Sequence, residues 1–168
     1  MADRAHTVVV VDANVLINFI HIGQLDLLAS LPGMTFIAPR EATNEITVGT
    51  QARAVRAALA SGQLREAEVT GIEEMERYAD LSRRLGKGES ACLALAESRD
   101  WSVASDEKRL FRRTAIAGIG EARILTTPDL LVHAIRSDLA SVDDADRWKQ
   151  LLAERRFRMK FESFADLL

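Results

Sequence analysis

At 168 residues, with 48% hydrophobic and 28% charged side chains, the chain has the composition of a single folded domain with its own core, which excludes global disorder. A formal net charge of −3 excludes an overall basic field for nucleic acid or anionic lipid, so any polyanion must be held by local basic patches. The lone Cys92 excludes an internal disulfide and a cysteine-based zinc cage.

Residues 7–11, Thr-Val-Val-Val-Val, are a continuous β-branched run suited to a strand buried on both faces of a parallel sheet. The run stops at Asp12, and from Asn14 the spacing becomes helical, with Val15, Leu16, Phe19 and Ile20 recurring on one side. "GQLDLLASLPG" continues helically to Pro32-Gly33, "MTFIAP" reads as a second strand, and Pro39 is placed to open the helix "REATNEITV". A further helix spans roughly 50–61 and "REAEV" reads as a short strand. "GIEEMERYADLSRRLG" places Ile72, Met75, Ala79 and Leu85 on one helical face. Gly86-Lys87-Gly88 breaks it, and "ESACLALAESR" follows as an alanine-rich helix able to approach a sheet closely, with Cys92 in its packed face.

"WSVASD" repeats the opening pattern of an apolar strand ending in an acid, Asp106. "EKRLFRRTA" is helical, "GIGEARIL" crosses to a last short strand, and "TPDLLVHAIRS" is a capped helix. Strands alternating with helices predict an α/β fold in three layers, a mostly parallel sheet between helices, as one domain with a core over about 7–138. An extension over about 141–168 carries a helix around Trp148 and Leu151. It is followed by "FRMKFESF", where Phe157, Met159 and Phe161 alternate with charge as in an edge strand or a partner-facing arm. No apolar run approaches the roughly 20 residues of a bilayer span, and the start "MADRAHT" is too short and polar for a signal peptide. A cytoplasmic protein with no membrane partner is the expectation.

Ligands of open α/β sheets collect beyond the carboxyl ends of the strands, where Asp12 and Asp106 fall. Each also reads as a helix N-cap, and Glu89, in the first turn after Gly-Lys-Gly, reads as a helix-dipole partner. Glu45 is preferred to Glu41, one turn away on the same helix, because it stands at the helix end nearer a strand-edge site. Four acids on separate elements could converge on one point, where they would repel without a counter-ion. Mg²⁺ or Mn²⁺, which favour oxygen ligands, resolves that cost and needs neither Cys nor the widely separated His6, His21 and His133.

"VVVVDANVLINF", "APREATNEI", "LGKGESACLALA" and "VASDEKRLFR", in this order, resemble the motifs of the PIN-domain family of metal-dependent nucleases, over roughly residues 7–132. The resemblance implies a parallel sheet flanked by helices and acids that bind Mg²⁺ or Mn²⁺ for hydrolysis of RNA phosphodiesters. By motif position it places the catalytic acids at Asp12, Glu45, Glu89 and Asp106, with Asp12, Glu89 and Asp106 as metal ligands. Many small bacterial members, the VapC-like proteins, are toxins of toxin–antitoxin pairs and are often dimeric. The resemblance therefore implies an antitoxin partner and a homodimer. The Gly-Lys-Gly-Glu form of the third motif is closest to a PIN-like subgroup.

Asn14 and Ser105, beside the two strand-end acids, are candidate auxiliary residues that hydrogen-bond a carboxylate, a water or a phosphate. Lys87, Lys108, Arg109, Arg112 and Arg113 are candidates for holding RNA phosphates, although such a cluster is more often a solvated face. Other chemistries fail on their motifs. Gly86-Lys87-Gly88 lacks the upstream Gly and following Ser/Thr of a Walker loop, and Gly118-Ile-Gly120 lacks the third Gly of a dinucleotide fingerprint. Asn14 stands where a haloacid-dehalogenase phosphatase has a second Asp, and no Gly-x-Ser-x-Gly elbow occurs. The alternative from another class is a non-catalytic RNA- or protein-binding module on the same fold, which has no need of all four acids.

Overall fold

The β-branched opening run is the central strand of the molecule. In a computed structural model describing residues 6–168, β1 (Thr7–Val11), β2 (Met34–Pro39), β3 (Arg65–Ala67), β4 (Ser102–Ala104) and β5 (Ile124–Leu125) form one sheet in the order β3-β2-β1-β4-β5. Every neighbouring pair is parallel, with Val10 facing Ile37 on one side and Val103 on the other. Val9, Val10 and Val11 have no accessible surface, as a strand covered on both faces requires. The segment 1–5, including most of the polar start, lies outside the described residues. Among the described residues, no helix is long and apolar enough to cross a membrane.

Nine α-helices follow among the described residues: α1 (Ala13–His21), α2 (Leu25–Ser30), α3 (Arg40–Asn44), α4 (Gly49–Ser61), α5 (Ile72–Leu81), α6 (Lys87–Arg99), α7 (Leu110–Ile119), α8 (Thr127–Arg136) and α9 (Val142–Glu154). The alanine-rich α6 is the most deeply placed. Ala91 through Ala96 are completely buried, and the helix packs on β1, β2 and β4 and against α3, α5 and α7. Small side chains permit that approach, and truncating Leu93 or Leu95 there would cost about 2–5 kcal/mol. The C-terminal extension belongs to the same core: Ala145, Leu152 and Phe164 are fully buried in it, and α9 packs on α1 and α8.

Four expectations are corrected. The helix expected over "REATNEITV" ends at Asn44, leaving Glu45 as its C-cap and a break before α4. The helix expected from Glu107 begins only at Leu110, because the backbone N–H groups of Asp106 and Glu107 are tied to Asn14 Oδ1 (3.2 Å) and Ser105 Oγ (3.2 Å). Arg109 completes that detour at a positive φ of 55°, a conformation costing a non-glycine residue about 1 kcal/mol or more.

On α5 the supposed apolar face is largely exposed at Ile72 and Met75, and the buried positions are Glu74 and Leu81. Glu74 accepts hydrogen bonds from Arg99, Ser98 Oγ and Thr70 N, so an ion pair takes the place that periodicity assigns to hydrophobes. Finally, residues 157–163 alternate in burial but join no sheet. They lie instead beside Asp106 and Thr126, the residues that follow the ends of β4 and β5.

Candidate active site

Asp12 stands where β1 meets α1, and only 2% of it is exposed. Its Oδ1 caps α1 by accepting from Ala13 N at 2.8 Å, and its Oδ2 accepts from Ser105 Oγ at 3.1 Å. The capping and functional readings of this residue are therefore both occupied. Burial raises its carboxyl to about 7, the Ala13 and Ser105 hydrogen bonds counter that, and the charges of Glu45 and Glu89 add to the rise.

Glu89 lies in the first turn of α6 and accepts from Gly86 N at 3.2 Å. Its carboxyl is raised by burial and then by the charges of Glu107 and Glu45, with the Gly86 hydrogen bond opposing. Glu45 comes from the end of α3 and accepts from Gly88 N at 2.8 Å. A Cβ on Gly88 would sit 2.7 Å from Glu45 Oε1, so any other residue there would push that carboxylate aside. The Gly-Lys-Gly turn is thus a cradle for a carboxylate as well as a helix start. Glu41 stays one turn back. One of its buried oxygens has no hydrogen-bond partner, and its charge acts on the buried Cys92 rather than on Asp12 or Glu89.

The two polar residues read from the sequence tie the strand ends together. Asn14 donates from Nδ2 toward Asp12 Oδ2 (3.4 Å), Ser105 Oγ (3.4 Å) and Glu107 Oε1 (3.3 Å), while its Oδ1 accepts from Asp106 N. Asp106 itself turns toward α8. Its carboxylate accepts from Thr127 N (2.8 Å), Thr127 Oγ1 (2.5 Å) and Asn18 Nδ2 (2.9 Å), and it is raised chiefly by burial against those hydrogen bonds. It is not the N-cap of α7. The next residue, Glu107, is the one whose charge reaches Glu89 and whose oxygen meets Asn14.

With this geometry, a family described as a PIN domain (DUF3368) matches residues 8–164. The chain belongs to the PIN-domain family. The match runs through the C-terminal extension, beyond the motifs that end near residue 132. No curated protein matches the sequence. Among solved structures, this PIN domain is similar to a chain of VapBC2 from Rickettsia felis, in a complex bound to a DNA fragment from its promoter. The likeness has a TM-score of 0.45 and 10% identity, over 71% of this chain and 97% of that one.

The site of this PIN domain therefore draws together Asp12, Glu45, Glu89, Asn14 and Ser105, and adds Glu107, which the sequence reading missed. The adjacent pair Asp106-Glu107 was the available signal, since neighbours beyond a strand end point different ways. Asn18 and Thr127, which hold Asp106, were also missed. Asn18 lies four residues after Asn14, on the same face of α1. Of the cations, Lys87 and Lys108 are exposed near the acids, and Arg109 is exposed in the strained link. Arg112 pairs with Glu121 at 2.8 Å, and Arg113 lines a separate cleft with Arg77 and Arg84. A second cationic group, Arg155, Arg156, Arg158 and Lys160, flanks the cleft that holds Asn14, Asp106 and Glu107.

The donor set suits a hard divalent cation: every side chain in the cluster offers oxygen, and the carboxylates raise one another. Among the described residues, no three acids already close on a single point.

Proposed function

We propose that this PIN domain is a metal-dependent endoribonuclease that hydrolyses RNA phosphodiester bonds at the carboxyl edge of its sheet. The observation that carries the reading is Asp12, an almost fully buried carboxylate raised to about 7, which feels the charges of Glu45 and Glu89 and has no cation among its partners. A protein that needed only a helix cap there would be better served by Ser or Asn, without the burial cost of a charge.

Asp12 and Glu89 are the residues that would hold Mg²⁺ or Mn²⁺, with Glu45 and Glu107 beside them. The chemistry such an ion supplies when bound is positive charge at the scissile phosphate and activation of water for its displacement. The chain's own part is positioning. Ala13 N and Ser105 Oγ fix the direction of the Asp12 carboxylate. Gly88 N fixes Glu45, and Asn14 locks the β1 end to the β4 end by bonding both Asp12 and the Asp106 backbone. Lys87 and Lys108 supply phosphate contacts at the rim of the acid cluster. Asp106 acts through Thr127 and Asn18, holding the start of α8 against this edge.

The family resemblance extends the proposal to a small partner protein that restrains the activity, as an antitoxin does, and to a homodimer. Co-purification with the product of the adjacent reading frame, and the mass in solution, test these two points.

The test of the activity is cleavage of a labelled single-stranded RNA in Mn²⁺, in Mg²⁺ and in EDTA by wild type, Asp12→Asn and Glu89→Gln proteins purified identically. Cleavage that requires metal and is lost in both variants is the expected result. Cleavage that survives both substitutions, or that persists in EDTA, overturns the proposal.

A further inference from the structure

Overlapping the cleft at the acid cluster lies a pocket of about 350 Å³, inside the range of small-molecule sites, whose aromatic lining the catalytic reading does not use. Its apolar lining is Phe157, Met159 and Phe161 from the C-terminal extension, with Pro128 from the start of α8. Its cationic lining is Lys108, Arg112, Arg158 and Lys160. Asp106 and Glu107 also line it, which joins it to the edge of the acid cluster. Phe157 and Met159 also line the cleft that holds Asn14, so pocket and cleft share a wall.

The charge distribution selects the occupant. In a chain of net charge −3, the segment 155–160 carries four cations. Among the described residues neither they nor Lys108 make an ion pair. Aromatic and apolar side chains lining one pocket together with cations suit a flat heteroaromatic ring bearing an anionic tether, which is a nucleotide. The faces of a base are available to aromatic side chains only where it is unstacked and unpaired.

We infer that this pocket binds the unpaired base of a nucleotide flanking the scissile phosphate, with Phe157 as the stacking surface and Lys108, Arg158 and Lys160 on the adjoining phosphates. The inference rests on the ribonuclease reading for its substrate, and it makes the enzyme specific for single-stranded RNA. The C-terminal extension is then part of the substrate site, which explains why its cations face the cleft while Leu152 and Phe164 anchor it in the core.

The test uses a short labelled single-stranded RNA and a set of copies carrying one abasic nucleotide at successive positions. Phe157→Ala and, as a surface change that leaves the core untouched, Lys160→Glu are each expected to raise KM on the order of tenfold, with a smaller effect on kcat. One abasic position should cost wild type a similar factor and cost Phe157→Ala nothing further, while Phe157→Trp restores the wild-type response. Equal abasic penalties in wild type and Phe157→Ala, or wild-type KM in both variants, overturn the inference.

Anisotropy of the same RNA on the full-length protein, in a Glu89→Gln background, separates the two claims. Binding that weakens with Phe157→Ala when wild type shows no cleavage keeps the subsite and overturns the nuclease. Cleavage by wild type, with binding indifferent to Phe157 and Lys160, overturns the subsite alone.

Discussion

Replacing Asp12 with Asn should abolish function and stabilise the metal-free fold at neutral pH. Folding takes this carboxyl from its ordinary 3.8 to about 7. A rise of about 3 units at 1.36 kcal/mol each means that the ionised side chain opposes folding by about 4 kcal/mol. Asn keeps the 2.8 Å bond from Ala13 N through its own Oδ1. It loses the acceptor that Ser105 and Asn14 now share, at a cost of about 1–2 kcal/mol. The net gain is about 2 kcal/mol, or about 4–8 °C in Tm for a chain of this size.

The pH dependence fixes the cause. Below about 3.8 both the folded and unfolded carboxyls are protonated, and Asp12 carries no penalty. As pH rises through the window up to about 7, the unfolded chain ionises first and wild type loses stability that Asp12→Asn retains; above about 7 the difference is constant. Thermal unfolding of both proteins in EDTA across this window, followed by fluorescence of Trp101 and Trp148, reads the effect. Adding Mn²⁺ at high pH should then stabilise wild type and leave the variant unchanged. An equal Tm at all pH values, or an Asn variant that is less stable at about pH 8, would refute the claim that Asp12 is an uncompensated buried charge.

Gly88→Ala should leave stability within about 1 kcal/mol of wild type, because helix propensity gained at this position offsets the cost of moving the flexible Glu45 side chain. Mn²⁺ affinity by calorimetry should nevertheless fall as Glu45 is displaced. Glu107→Gln should reduce RNA cleavage by on the order of 10–100-fold with little change in Tm. Asp106→Asn should change Tm much less than Asp12→Asn, since relief of a buried carboxylate is offset by loss of the acceptor that Thr127 Oγ1 and Asn18 share, at about 1–2 kcal/mol. Arg99→Ala should destabilise by about 3 kcal/mol, because it strands Glu74, which Arg99 holds down to about 2 against burial. A Glu74→Gln, Arg99→Ala double substitution should recover part of that loss in denaturant titration.

What the sequence made legible was whatever one periodicity or one residue type decides. The valine run had to be an inner strand, and the alanine run of α6 had to lie close against it. Asp12 and Glu89 were recognisable because each sits at a seam between elements where apolar patterning stops. Legibility failed where side chains from distant segments compete for one place. Nothing local in "ASDEKR" says that Asn18 and Thr127 will capture Asp106 and leave Glu107 to face Glu89. Nor does local pattern reveal that Arg99, 25 residues away, makes Glu74 a buried position and Met75 an exposed one. The alternation of Phe157, Met159 and Phe161 correctly signalled a surface half-buried on one side. It could not say whether the segment joined a sheet edge or packed against the core beside a pocket, because both bury alternate residues.

The measurement that tests the central claim most directly is a calorimetric titration of the purified protein with Mn²⁺, beside Asp12→Asn and Glu89→Gln. Saturable binding in wild type that weakens on the order of 10–100-fold or more in both variants is the result predicted for a cation held at the acid cluster. Binding of equal strength in all three proteins, or none in wild type, would contradict it.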